Sequence, residues 1–132
     1  MLFRSRAARD RALAAWLAER DVELVVLAGF LEILSAEVVE RLPVINVHPS
    51  LLPAFPGLRA WEQALAAGVE TTGVTVHFVD AGLDTGPVIA QREVPVLADD
   101  TPEALHGRIQ MVEHELLPDV VARFAADLVA AP

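Results

Sequence analysis

Asn46, His48 and Asp84 supply the three kinds of group that acyl transfer without a protein nucleophile requires. Asn46 and His48 stand two apart in the apolar run VINVH (44–48). If that run is a strand, the spacing puts both side chains on one face. Asp84 lies downstream in the glycine-bounded segment AGLDTG (81–86). An amide N–H can donate to the oxyanion of a tetrahedral intermediate. An imidazole can protonate a leaving nitrogen as general acid, or donate to the same oxyanion as imidazolium. A carboxylate beside it favours the imidazolium and can orient a water that carries protons from an attacking amine. The absence of cysteine and of a GxSxG elbow agrees with such chemistry. A blander reading uses the same residues: a histidine satisfied by backbone at a sheet edge, and an aspartate that stabilises a turn through an Asx-type hydrogen bond.

The elements that must position these groups are legible from pattern. Residues 5–20 read as a helix capped by Ser5, with Leu13, Trp16 and Leu17 forming an apolar stripe. ELVVLAG (23–29) suits a buried strand. SAEVVERL (35–42) reads as a short helix capped by Ser35 and ended by Pro43, and VINVH as a second buried strand. PSLLPAFPGLR (49–59), with three prolines and a glycine, reads as a stiff ordered loop whose Leu and Phe residues need burial. AWEQALAAG (60–68) is a helix closed by Gly68. TGVTVHFV (72–79) alternates, with Val74, Val76 and Phe78 on one face and Thr75, His77 and Val79 on the other. PVIAQREVPV (87–96) is a further strand. Thr101 caps a last helix with Pro102 at its first position, which runs toward Ala126 with a kink or break at Pro118. Helices alternating with apolar strands predict an α/β fold: an open, mostly parallel twisted sheet with flanking helices, antiparallel where the later strands follow each other closely.

Composition narrows the function classes. The 132 residues, 54% hydrophobic, provide one domain's core. The net charge of −9 disfavours nucleic acid as a partner. No apolar run approaches the roughly 20 residues that span a bilayer, so no membrane partner is expected. The Arg-rich opening (Arg4, Arg6, Arg9, Arg11) could mimic a transit peptide but reads better as a surface helix. A cytoplasmic location is expected. His77, His106 and His114 lack metal-ligand spacing, so no metal is expected, and His77 reads as structural. Trp16 and Trp61 read as core anchors, and Leu116 to Phe124 as a core stripe. Neither GxGxxG nor GxxxxGKS/T occurs, so the residues show no backbone phosphate cradle.

Four stretches carry a resemblance. LAGFLEILS, INVHPSLLPAFPG, TGVTVHFVDAGLDTGPVIAQ and RIQMVEHELLP, in this order and spacing, resemble the folate-dependent formyltransferases, and within them the phosphoribosylglycinamide formyltransferases. The resemblance spans about residues 3–124. It implies transfer of a formyl group from 10-formyltetrahydrofolate to the amine of glycinamide ribonucleotide in purine biosynthesis. It implies that Asn46, His48 and Asp84 are catalytic. It implies that Leu31, Glu32, Ile33 and Leu34 hold the pterin, that Asp80, Ala81, Gly82 and Leu83 close on the folate, that Arg6 lies near it, and that Glu113 contacts the ribonucleotide. Glu32 stands where the family usually has a basic residue, and Trp61 and Glu62 differ where it often carries histidines.

Family members also have, ahead of the segment matched by Phe3, a strand and a glycine-rich turn that grips the substrate phosphate. The resemblance therefore implies an N-terminally truncated domain, with residues 1–132 its catalytic C-terminal portion. Self-association, or pairing with the missing N-terminal segment, is expected from the apolar sheet edge this leaves. Three alternatives stay open: a formyltetrahydrofolate hydrolase, whose relatives carry a second histidine in place of Pro49; a methionyl-tRNA formyltransferase, which needs a basic surface; and an inactive folate-binding fragment.

Overall fold

The computed structural model describes residues 5–28, 36–39, 42–80 and 86–130, with backbone alone at 6, 28, 36, 37 and 127–130. The elements run α1 (Arg6–Glu19), β1 (Val25–Ala28), α2 (Ala36–Val39), β2 (Val44–His48), α3 (Ala60–Ala67), β3 (Thr71–Phe78), β4 (Val88–Pro95) and α4 (Pro102–Ala130). Local chemistry explains their ends. Ser5 has extended backbone and its hydroxyl accepts the Ala8 N–H, satisfying one of the orphan donors of α1. Gly68 takes the left-handed conformation that closes α3, at φ 69°. The Thr101 hydroxyl accepts the Ala104 N–H at 3.1 Å and starts α4.

The sheet order is β1-β2-β3-β4. β1 and β2 are parallel, β2 and β3 antiparallel, and β3 and β4 antiparallel. The open α/β sheet with flanking helices is as expected, and it is mixed. Among the described strands its parallel part is β1–β2; the chain reverses across the long connection with α3 between β2 and β3, and again across the shorter one after β3.

Two apolar layers cover the two faces. On one, Ile45, Val47, Val74, Val76 and Val94 pack against Leu105, Ile109, Leu116 and Val120 of α4. On the other, Val44 packs with Ala14 and Leu17 of α1 and Val38 of α2. Several expectations need correction. α4 is not broken at Pro118 and runs through it to Ala130, a few residues past the expected Ala126. The proline removes one helical hydrogen bond, at a cost of about 3 kcal/mol. Burial of Leu116 and Val120 on either side offsets it, each contributing roughly 1.5–3 kcal/mol. Trp16 is no core anchor: it is 50% exposed, with the Arg20 guanidinium 3.9 Å from its ring centroid, and Ala14 takes its place in the stripe. Trp61 is half-buried and stacks on His106 at 3.7 Å, joining α3 to α4. Leu58 is exposed rather than buried.

The approach to α4 is fixed by charge. The Arg108 guanidinium donates to both Asp100 oxygens at 2.8 Å and also to the Pro95 carbonyl. The Asp100 carboxylate accepts the Leu97 N–H as well. Arg108 first, and the Leu97 N–H second, hold the Asp100 carboxyl at a pKa of about 2, below its ordinary 3.8. The stabilisation is complete above the unfolded value and is lost as pH falls through the folded one. Asp100→Asn should therefore flatten the dependence of melting temperature on pH between about 4 and 2, measured against the parent by thermal denaturation. Ile109→Ala, which empties the centre of the α4 layer, should lower stability by about 2–5 kcal/mol in urea titration.

Candidate functional site

The β2–β3 register decides where the polar groups go. Asn46 faces His77 and His48 faces Thr75 across the antiparallel pair. Directly opposed residues share a face, so all four side chains lie on the face away from α4. The expected common face of Asn46 and His48 is realised. All four residues are buried. A row of polar groups under cover needs partners, because an unmade buried hydrogen bond costs about 1–3 kcal/mol.

Residues 49–59 supply most of them by folding back over β3 and β4. The His48 Nε2 lies 2.8 Å from the Phe55 carbonyl oxygen. A carbonyl only accepts, so Nε2 is the ring nitrogen that carries a hydrogen in this contact. The Ser50 hydroxyl donates to the Ala54 carbonyl at 2.5 Å and lies 3.2 Å from that of Phe55. Phe55 itself has φ +52°, the left-handed conformation. Gly73 lets the loop lie close: a Cβ there would overlap the Arg92 carbonyl and the Leu51 side chain.

Asn46 is the exception. It is 6% exposed, its buried Oδ1 has no hydrogen-bond partner, and its side chain makes no hydrogen bond among the described residues. The two ends of the Asn46 amide interchange by a flip, so the same position can present an N–H. A buried amide oxygen with no partner among the described residues, beside an anchored imidazole, leaves one polar group whose hydrogen bond must be supplied from elsewhere.

Asp84, Leu31, Glu32, Ile33, Leu34, Ala81, Gly82 and Leu83 lie outside the described residues, as does the Arg6 side chain. Asp80 is exposed, just past β3. The ends of the 81–85 segment are held at β3: the Phe78 N–H donates to the Pro87 carbonyl at 2.9 Å. Gly86 packs so near that a Cβ would overlap the Phe78 carbonyl oxygen. Phe78 follows His77, which faces Asn46 across β2–β3.

Glu113 is placed elsewhere. It lines an apolar groove of about 660 Å³ with Val26, Val47, Leu117 and Val121. Val26 and Val47 face α4, so Glu113 and His48 lie on opposite faces of the sheet. They meet the same strand end, since Val47 precedes His48. Sequence reasoning missed the covering partners, Ser50, Thr75, Gln91 and the Phe55 carbonyl. The placement of Thr75 and His77 on one face was a visible clue, but only the register shows which residues they oppose. His77 was read as structural; it stands beside Asn46. Among the described residues no group of His, Asp and Glu is arranged to hold a metal.

Burial raises the Glu113 pKa above its ordinary 4.5, and the neighbouring His114 works against that rise. A raised carboxyl leaves the folded state free of penalty below the unfolded value and increasingly strained as pH rises through the folded one. Glu113→Gln should therefore raise the melting temperature at pH 7, and the gain should vanish below about pH 4. A thermal series across that range checks it.

Comparison with known proteins follows the geometry. A family described as "Formyl transferase" matches residues 1–121. The phosphoribosylglycinamide formyltransferase of Mycobacterium tuberculosis (strain H37Rv) is 50% identical over 123 residues, which is 92% of this chain and 57% of that protein. The Bacillus subtilis protein of the same name is 42% identical over 121 residues, 90% of this chain and 62% of the relative. The crystal structure of glycinamide ribonucleotide transformylase 1 from Symbiobacterium toebii superposes with a TM-score of 0.91 at 48% identity, covering 95% of this chain and 60% of that one. The chain thus spans about three fifths of the length of these relatives. A family match over nearly the whole chain, with the Asn46–His48 pair on a buried strand, leaves one conclusion: the chain belongs to the formyl transferase family.

Proposed function

We propose that the chain transfers a formyl group from 10-formyltetrahydrofolate to the amine of glycinamide ribonucleotide, a step of de novo purine biosynthesis carried out in the cytoplasm. The observation that carries this reading is the buried Asn46 amide, whose oxygen has no partner among the described residues, two residues from an imidazole held by a main-chain carbonyl. In the proposed reaction the substrate amine attacks the formyl carbon. The Asn46 N–H donates to the oxygen that becomes negative, where a preorganised donor is worth most. The bond from the formyl carbon to N10 of the folate then breaks. His48, its Nε2–H engaged by the Phe55 carbonyl, would deliver a proton from Nδ1 of its imidazolium form toward that nitrogen, and Asp84 would direct the water that accepts one from the amine.

Binding roles follow the family resemblance. Leu31, Glu32, Ile33 and Leu34, with Asp80, Ala81, Gly82, Leu83 and Arg6, would hold the folate co-substrate. Glu113 would contact the ribonucleotide. Because Glu113 and His48 open on opposite faces, a substrate that touches both must wrap the end of β2 past Val47. Amine and phosphate ends of a ribonucleotide are far enough apart to do so.

The relatives' names support this acceptor over water or a methionyl-tRNA, as does the acidic balance of the chain. The test is formyl transfer to glycinamide ribonucleotide by the purified chain, followed by release of tetrahydrofolate. His48→Ala should lower kcat by about 10²–10⁴-fold while folate binding, measured by calorimetry, persists. Near-normal turnover in that variant would remove His48 from the mechanism, and hydrolysis of the donor without acceptor would favour a hydrolase.

A further inference from the structure

We propose that Thr75 is a positioning residue for His48: through the loop over β3, its hydroxyl fixes which imidazole nitrogen carries the proton. The inference rests on the reading of His48 given above.

Thr75 faces His48 across β2–β3 and is fully buried. Its hydroxyl donates to the Ser50 carbonyl at 2.7 Å. It accepts from the Leu52 N–H at 3.0 Å and from the Gln91 side-chain amide at 3.0 Å. One donated and two accepted bonds use the full capacity of a hydroxyl. The Gln91 amide also donates to the Leu52 carbonyl at 2.9 Å, so β3 and β4 together grip the first part of the loop. From Ser50 the constraint passes on, because its own hydroxyl donates to the Ala54 carbonyl and lies within reach of that of Phe55. The Phe55 carbonyl is the group that accepts from His48 Nε2. A side chain on the neighbouring strand thereby sets the loop register, the register sets one carbonyl, and the carbonyl sets the tautomer.

A residue that merely stabilised the loop would leave the ring's proton where it is. The deciding measurement is therefore the His48 tautomer, read in the full-length chain by long-range proton–nitrogen correlation NMR on ¹⁵N-histidine-labelled protein near neutral pH. The parent and Thr75→Ser, which keeps the hydroxyl, should show the Nε2–H ring. Thr75→Val should show a mixture with the Nδ1–H form. In the formyl-transfer assay Thr75→Val should lose roughly 10- to 100-fold in kcat, with KM for the formyl donor little changed and Thr75→Ser close to the parent. A folded Thr75→Val with the parent's His48 spectrum would overturn the assignment. Should Thr75→Val not fold, Gln91→Leu, at an exposed position, decides in its place. A partial shift toward Nδ1–H supports the assignment, and an unchanged ring overturns it. If the ring responds but the parent transfers no formyl group, the proposed function fails while the role of Thr75 stands.

Discussion

Most of this structure answers to one constraint: a row of polar side chains lies on a sheet face that is covered. Asn46, His48, Thr75 and His77 are brought together by the β2–β3 register. In water such groups cost nothing, but under cover each needs a partner. The loop 49–59 meets that need with main-chain groups and one serine, and cannot move far without breaking several bonds together. Its stiffness serves polar satisfaction as much as its prolines. The opposite face is covered by apolar packing against α4, apart from the groove beside Glu113.

This division shows why the sequence was legible in parts. Helix caps at Ser5 and Thr101, the αL stop at Gly68 and the strand VINVH follow from local chemistry, and each stands where pattern placed it. Of the kink or break read at Pro118, the break does not occur, because burial on both sides of it outweighs one absent hydrogen bond. Trp16 failed differently: helical spacing gave the stripe, but the core takes the small Ala14 and leaves the large ring outside against Arg20. At the site, Asn46 and His48 were identifiable from their spacing and their place at a strand end. Thr75 and Gln91 were not, because their meaning lies in pairings between β2, β3 and β4 that sit far apart in the chain.

Glu113 completes the picture from the other face. Its carboxylate sits among apolar side chains of β1, β2 and α4, where burial works against its charge. Such a position is costly for the folded chain alone and becomes sensible if a ligand's hydrogen-bond donors reach it. The same holds for Asn46, a buried amide whose oxygen has no partner among the described residues. Two unrelated groups on two faces of one sheet, a carboxyl whose burial opposes its charge and an amide oxygen unpartnered among the described residues, thus sit near the same end of β2. A molecule reaching both would compensate two local penalties by one binding event. That is the behaviour of a surface shaped for a polar substrate rather than for the stability of the fold.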